Sequence, residues 1–160
     1  MAKAQLEPDP NASVPTQLSP GWRDLGWLSL YCMRGIAELA WARLVFARMP
    51  ASDIPMRNAK QGRDRQSLNA TDQKRVDRVA YVIPRLGERM PWRSDCVPQA
   101  LAAQRWLGSA SIASAIRIGV ERPDDGDFGA HAWLVVGERI VTGGRVEQYQ
   151  LLLDESEKSR

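Results

Sequence analysis

The chain has 160 residues, of which 44% are hydrophobic and 26% charged, a balance that favours one globular core over two domains or wholesale disorder. The formal net charge of +3 is spread along the sequence, which argues against a dedicated nucleic-acid-binding surface. Two cysteines and one histidine lack the close spacing of zinc ligands, so we expect no metal site.

Residues 1–20 contain four prolines among short polar residues and have no apolar stretch. This composition predicts a flexible leader without a signal peptide, and therefore a cytoplasmic protein with reduced thiols. We predict a single domain over residues 21–160, with a helical section at 21–90, a core section at 91–153 and a charged tail at 154–160.

Residues 22–49 form the first predicted helix, in which Leu25, Leu28, Cys32, Ile36 and Leu39 recur with helical spacing. The opposite side is also apolar, which indicates either deep burial or contact with a membrane or partner. Charged residues inside the segment would each cost about 2.5–3.5 kcal/mol at a bilayer centre, so a spanning helix is disfavoured. They include Arg34, Glu38 and Arg43. We expect burial against the rest of the chain, with Cys32 in the core and peripheral membrane contact as the alternative.

A polar connection over residues 51–70 contains several basic residues between Arg57 and Arg65. Asn69 or Thr71 then caps a second amphipathic helix, whose last turn is disturbed by Pro84. Ser94 or Asp95 caps a third helix, which ends at Gly108. Cys96 is thereby predicted at a helix N-terminus.

Three strands are predicted after the helices. Residues 116–121 alternate between apolar and polar, residues 130–136 form a second strand, and a tight turn beginning with Gly137 leads to a third strand at 139–142. The order of helices followed by a β-meander predicts an α+β fold.

The chemistry of this chain centres on Cys96 and His131. A helix N-terminus favours the thiolate form that attacks acyl groups, and its free N–H groups can stabilise an oxyanion. Alternation places His131 and Trp133 on one face of the second strand, and we expect that face to meet the Cys96 helix. A thiolate–imidazolium pair would then form. The alternative interpretation is structural, since buried cysteines and single histidines usually have no catalytic role.

The residues around this pair resemble those of the transglutaminase-like cysteine proteases that process lasso peptide precursors in bacteria. The matching stretches are PWRSDCVPQALA at 91–102, IGV at 118–120 and AHAWL at 130–134, in the same order and spacing. The resemblance is close over residues 91–150 and looser over the helical section from Trp22 onward.

This resemblance implies a papain-like or transglutaminase-like core in which the helix bearing Cys96, the nucleophile, packs on an antiparallel sheet bearing His131, the general base. It further implies a cytoplasmic endopeptidase, without cofactor, that removes the leader from a ribosomally made precursor peptide. The expected partners are that precursor, a small leader-binding protein and an ATP-using, asparagine-synthetase-like cyclase that closes the macrolactam ring.

One position departs from the family pattern. Many members have an aspartate about a dozen residues after the histidine, where this chain has Gly143. The third member of the triad is therefore missing or relocated. Glu147 is a candidate replacement, although the simpler interpretation is that Glu147 is a solvated surface residue. We also expect that restoring the acid, as Gly143→Asp, does no harm.

Two other functions remain open at this point. The same dyad could transfer the acyl group to an amine, as transglutaminases do, because the pocket decides whether water or an amine enters. The chain could also be a non-catalytic peptide-binding scaffold that lost activity together with the aspartate.

Overall fold

The computed structural model describes residues 20–48, 58, 68–92, 95–121 and 129–151. Three predictions lie outside these residues: the leader up to residue 19, the basic connection apart from Asn58, and the charged tail at 154–160. The predicted division into one domain with a leader and a tail therefore stays a prediction.

Three α-helices precede the sheet in the described part of the chain. A short 3-10 turn at Trp22–Asp24 leads into α1 (Leu25–Phe46), and α2 (Ala70–Gly87) and α3 (Cys96–Gly108) follow. Asn69 caps α2, since its side chain accepts a hydrogen bond from the N–H of Asp72 at 2.9 Å. Pro84 is accommodated inside α2, which continues to Gly87.

The sheet has four antiparallel strands in the order β3-β2-β1-β4. They are β1 (Ala115–Glu121), β2 (Gly129–Val136), β3 (Arg139–Thr142) and β4 (Gln150–Leu151). Gly137 has a φ of +60°, as the predicted tight turn between β2 and β3 requires. The predicted α+β fold is confirmed, and the short edge strand β4 is an addition that the sequence pattern did not indicate.

The helices cover one face of the sheet. Buried residues of all three helices form a continuous core with Ile116 of β1 and with Ala132, Leu134 and Val136 of β2. Trp133 and Val135 are also buried, but they lie outside this core because alternate residues of a strand point to opposite faces. Both faces of β2 are therefore covered, and only one of them contacts the helices.

Asn58 forms hydrogen bonds with the edge of β1 at Ile116, beyond the residues of β1 that pair with β4. Its side-chain amide donates to the Ile116 carbonyl at 2.8 Å and accepts from the Ile116 N–H at 2.9 Å. Gln104 of α3 donates to the same Asn58 oxygen at 2.9 Å. This buried network satisfies the backbone groups of an edge strand and ties that edge to α3.

The inward face of α1 differs from the predicted stripe. Gly35, Glu38, Leu39 and Ala42 are its buried residues, whereas Leu25 and Ile36 of the predicted stripe are exposed. The helix is apolar on all sides, so periodicity could not select one face. The close approach of α2 selects it instead, since a Cβ at Gly35 would lie 2.7 Å from the Leu86 side chain.

Glu38 is a buried carboxylate in this interface. It pairs with Arg34 within α1 at 3.5 Å and with Arg105 of α3 at 2.6 Å. The second pair joins α1 to α3 and provides the charge partner that burial of a carboxylate requires.

The expected burial of α1 is only partly correct. Six large apolar residues on its outer side and in the preceding turn remain exposed: Trp22, Leu25, Leu30, Met33, Ile36 and Leu44. We refer to these six as the α1 outer face. Among the described helices, none combines the length and the apolar character needed to cross a bilayer.

Candidate active site

Cys96 is the first residue of α3, as the sequence predicts. The preceding residue, Asp95, has extended backbone (ψ of 178°), so the helical conformation starts at Cys96 itself. The Cys96 side chain is half-buried against the core, and its thiol is free of any disulfide. The backbone N–H groups of Cys96 and Val97, in the first turn, have no partner within the helix, an arrangement that favours a thiolate and a bound oxyanion.

The second cysteine has a different setting. Cys32 lies in the middle of α1, where the backbone N–H groups are bonded within the helix. The sequence predicted Cys32 in the core, but its side chain is half-buried. It therefore lacks the helix-terminal environment that activates a thiol. The two cysteines form a natural comparison within one chain.

His131 lies near the start of β2, opposite Gly119 of β1. Its imidazole is half-buried, with Nε2 2.7 Å from the main-chain carbonyl oxygen of Gly143. The ring stacks on Tyr149, with centroids 4.8 Å apart and planes at 26°, and more loosely on Trp133 at 6.2 Å. The imidazole is thus held at one edge by a hydrogen bond and on one face by an aromatic ring.

Gly119 creates the space for this cluster. A Cβ at Gly119 would lie 2.8 Å from both the Trp133 ring and the Tyr149 Cβ. Only a residue without a side chain allows the two aromatic residues to close over the strand beside His131. The IGV segment that carries the family resemblance therefore has a packing role next to the histidine.

The helix that begins at Cys96 and the strand that carries His131 are linked through β1. The chain leaves α3 at Gly108 and returns at Ala115, which pairs with Val135 at the far end of β2. The helix α3 also packs directly against β2, the strand that carries His131.

The two side chains are not bonded to each other. The expectation that the His131 face meets the Cys96 helix is wrong: α3 packs on the face of Ala132, Leu134 and Val136, and His131 points the other way with Trp133. No hydrogen bond joins the thiol and the imidazole, both of which belong to the described residues. A thiolate–imidazolium pair requires the two groups to meet around the end of the sheet.

The position expected for an aspartate is filled by backbone. Gly143 has a φ of +109°, and a Cβ there would overlap the Cβ of Trp133 and lie 3.3 Å from His131 Nε2. The expectation that Gly143→Asp does no harm is therefore contradicted by the geometry. Glu147, the other candidate acid, is exposed, and Nε2 of His131 contacts the Gly143 carbonyl instead.

Two elements of this site were missed by sequence analysis. The Gly143 carbonyl belongs to the main chain and has no side-chain signature, although the Gly143-Gly144 pair signals unusual backbone conformation. Tyr149 precedes a two-residue strand that is too short to be recognised by alternation. Trp133 and Trp106 are both buried.

Comparison with known families agrees with this arrangement of helices and sheet. The model of the transglutaminase-like superfamily matches residues 36–154, which is more than half of the chain and includes both Cys96 and His131. No curated protein and no solved structure matches the chain. The superfamily includes cysteine peptidases and acyltransferases. On the extent of this match, the chain belongs to the transglutaminase-like superfamily.

Proposed function

We propose that the protein is a cysteine peptidase in which Cys96 is the nucleophile and His131 the general base. The observation that carries the proposal is the superfamily match across both residues, with the thiol at the first residue of a helix. The superfamily's peptidases and acyltransferases both need an activated thiol, and among the two cysteines only Cys96 lies at a helix N-terminus.

The reaction has two stages. His131 takes the thiol proton, and the Cys96 sulfur attacks the substrate carbonyl carbon, whose oxygen becomes an anion that the N–H groups of the first α3 turn stabilise. The imidazolium then protonates the leaving amine as the C–N bond breaks and a thioester forms. In the second stage His131 takes a proton from water, whose oxygen attacks the thioester carbon. The C–S bond breaks, the acid is released, and the imidazolium returns its proton to the Cys96 sulfur.

The proposed substrate is the leader region of a ribosomally made lasso-type precursor. The support is the resemblance of the segments at 91–102 and 130–134 to lasso maturation proteases. Acyl transfer to an amine is the second candidate, since the superfamily includes acyltransferases. The products distinguish the two, because peptidase action gives a free carboxylate and transfer gives an amide when a primary amine is added.

A leader-binding protein and a macrolactam cyclase are the proposed partners. The support is again the resemblance, together with the α1 outer face, which exposes large apolar residues such as Trp22 (77%) and Met33 (71%). Exposed apolar surface of this kind is typical of protein–protein contacts. Without the leader-binding protein, the purified chain should cleave the precursor slowly.

The direct test is cleavage of a lasso-type precursor peptide, with a leader-binding protein present. Cys96→Ala should abolish cleavage, whereas the matched variant Cys32→Ala should retain it. His131→Ala should lower the single-turnover rate by at least about a hundredfold, the usual contribution of a positioned base. Wild-type cleavage by Cys96→Ala would overturn the proposal.

A further inference from the structure

The contact between His131 and Gly143 determines which nitrogen of the imidazole carries the proton. A carbonyl oxygen accepts hydrogen bonds and cannot donate them, so the 2.7 Å contact requires a proton on Nε2. In the neutral ring the other nitrogen, Nδ1, then carries the lone pair. The contact therefore selects one of the two tautomers.

We propose that the main-chain carbonyl of Gly143 is the positioning group for His131, at the position where the lasso proteases that the sequence resembles commonly have an aspartate. It holds the Nε2–H tautomer and leaves Nδ1 as the nitrogen that exchanges protons with the thiol. This inference rests on the proposed function for its catalytic meaning, but the tautomer itself is a property of the resting protein.

Because residue 143 is a glycine, its main-chain carbonyl can take the place of a carboxylate side chain beside His131. The φ of +109° turns the carbonyl toward the ring, and the absence of a Cβ allows the chain to pass against Trp133. Tyr149 stacks on the imidazole and restricts rotation of the ring about its Cβ–Cγ bond. The hydrogen bond and the stack together define both the tautomer and the ring plane.

A carbonyl differs from a carboxylate in charge. It orients the imidazole, but it adds no negative charge next to an imidazolium, and hydrogen bonds to ionised acceptors are roughly twice as strong. The Gly143 carbonyl therefore supplies orientation without the charge stabilisation that a carboxylate would add.

The experiment is nitrogen NMR of the full chain labelled with ring-15N histidine, in the Cys96→Ala variant so that no thiol can transfer its proton to the ring. The full sequence contains a single histidine, His131, so the spectrum contains one imidazole. At a pH where the ring is neutral, we expect Nε2 to resonate as a protonated nitrogen and Nδ1 as an unprotonated one. The excess should be at least about tenfold, which corresponds to a hydrogen bond of about 1.4 kcal/mol.

A predominant Nδ1–H tautomer, or comparable populations of the two, would overturn the proposal. Cys96→Ser provides a second background if the alanine variant does not fold. Replacement of Tyr149 by Phe is the matched control, because it keeps the stack and should leave the tautomer unchanged. None of these spectra requires a substrate, so a failure of this inference is distinguishable from a failure of the peptidase assignment.

Discussion

Gly143→Asp would place the acid of the family pattern beside His131, and we expect it to destabilise the protein. The new Cβ overlaps Trp133. Overpacking of this kind costs about 1–3 kcal/mol. The backbone at φ +109° is strained for any other residue, which adds about 1–3 kcal/mol. The sum of about 2–6 kcal/mol is a large part of the 5–15 kcal/mol that stabilises an ordinary domain.

Gly144→Asp is the matched control, since it adds the same charge one residue later. Gly144 has a φ of +65°, in the left-handed region that aspartate tolerates, and a Cβ there meets nothing within 4 Å. We expect a loss of about 1 kcal/mol or less. Urea unfolding, followed by tryptophan fluorescence, gives the free energy of unfolding of each variant. A wild-type free energy of unfolding in Gly143→Asp, or an equal loss of stability in both variants, would contradict a steric conflict at residue 143.

Three further predictions concern the stack, the buried carboxylate and the start of α1. Tyr149→Leu should lower kcat for precursor cleavage more than Tyr149→Phe, because only the first removes the ring that holds His131; equal rates would contradict this. Glu38→Ala should lower the free energy of unfolding by about 1–3 kcal/mol in urea titrations, a value discounted for its half-exposed arginine partners. The pKa of Asp24 lies below 3.8, chiefly through the hydrogen bond from the Trp27 indole, so its contribution to stability persists at neutral pH and is lost as pH falls through that lowered value. The Trp27 indole N–H resonance should titrate with a midpoint below 3.8, and a midpoint above it would be contrary to the geometry.

The elements that the sequence predicted well are those with one clear apolar face. In α2, Val76, Val79 and Ile83 are buried as their spacing indicates, and α3 begins at Cys96 because Asp95 and Pro98 suit a helix start. Apolar residues on both sides of α1 left its orientation open. Contact with α2 at Gly35 decides that orientation, and a tertiary contact is not visible in local periodicity.

The site was predicted in its residue types but not in its geometry. Alternation placed His131 and Trp133 on one face correctly, yet it could not say which face the helices cover. That choice depends on which side of β2 supplies the larger continuous apolar surface, and Trp133 makes both sides apolar. The Gly143 carbonyl and the Asn58 clamp on β1 involve backbone groups, so residue types alone do not reveal them.

The central claim, that His131 activates Cys96, is tested most directly by the alkylation rates of the two cysteines. An unactivated thiol is only a few per cent thiolate at neutral pH, so activation should raise its rate by about tenfold or more. The experiment follows the rate of iodoacetamide labelling of Cys96 and of Cys32 by peptide mass spectrometry, in the wild type and in His131→Ala. If His131 activates Cys96, we expect Cys96 to react faster than Cys32, and we expect His131→Ala to slow the labelling of Cys96 alone. Equal rates for the two cysteines, or a Cys96 rate unaffected by His131→Ala, would contradict it.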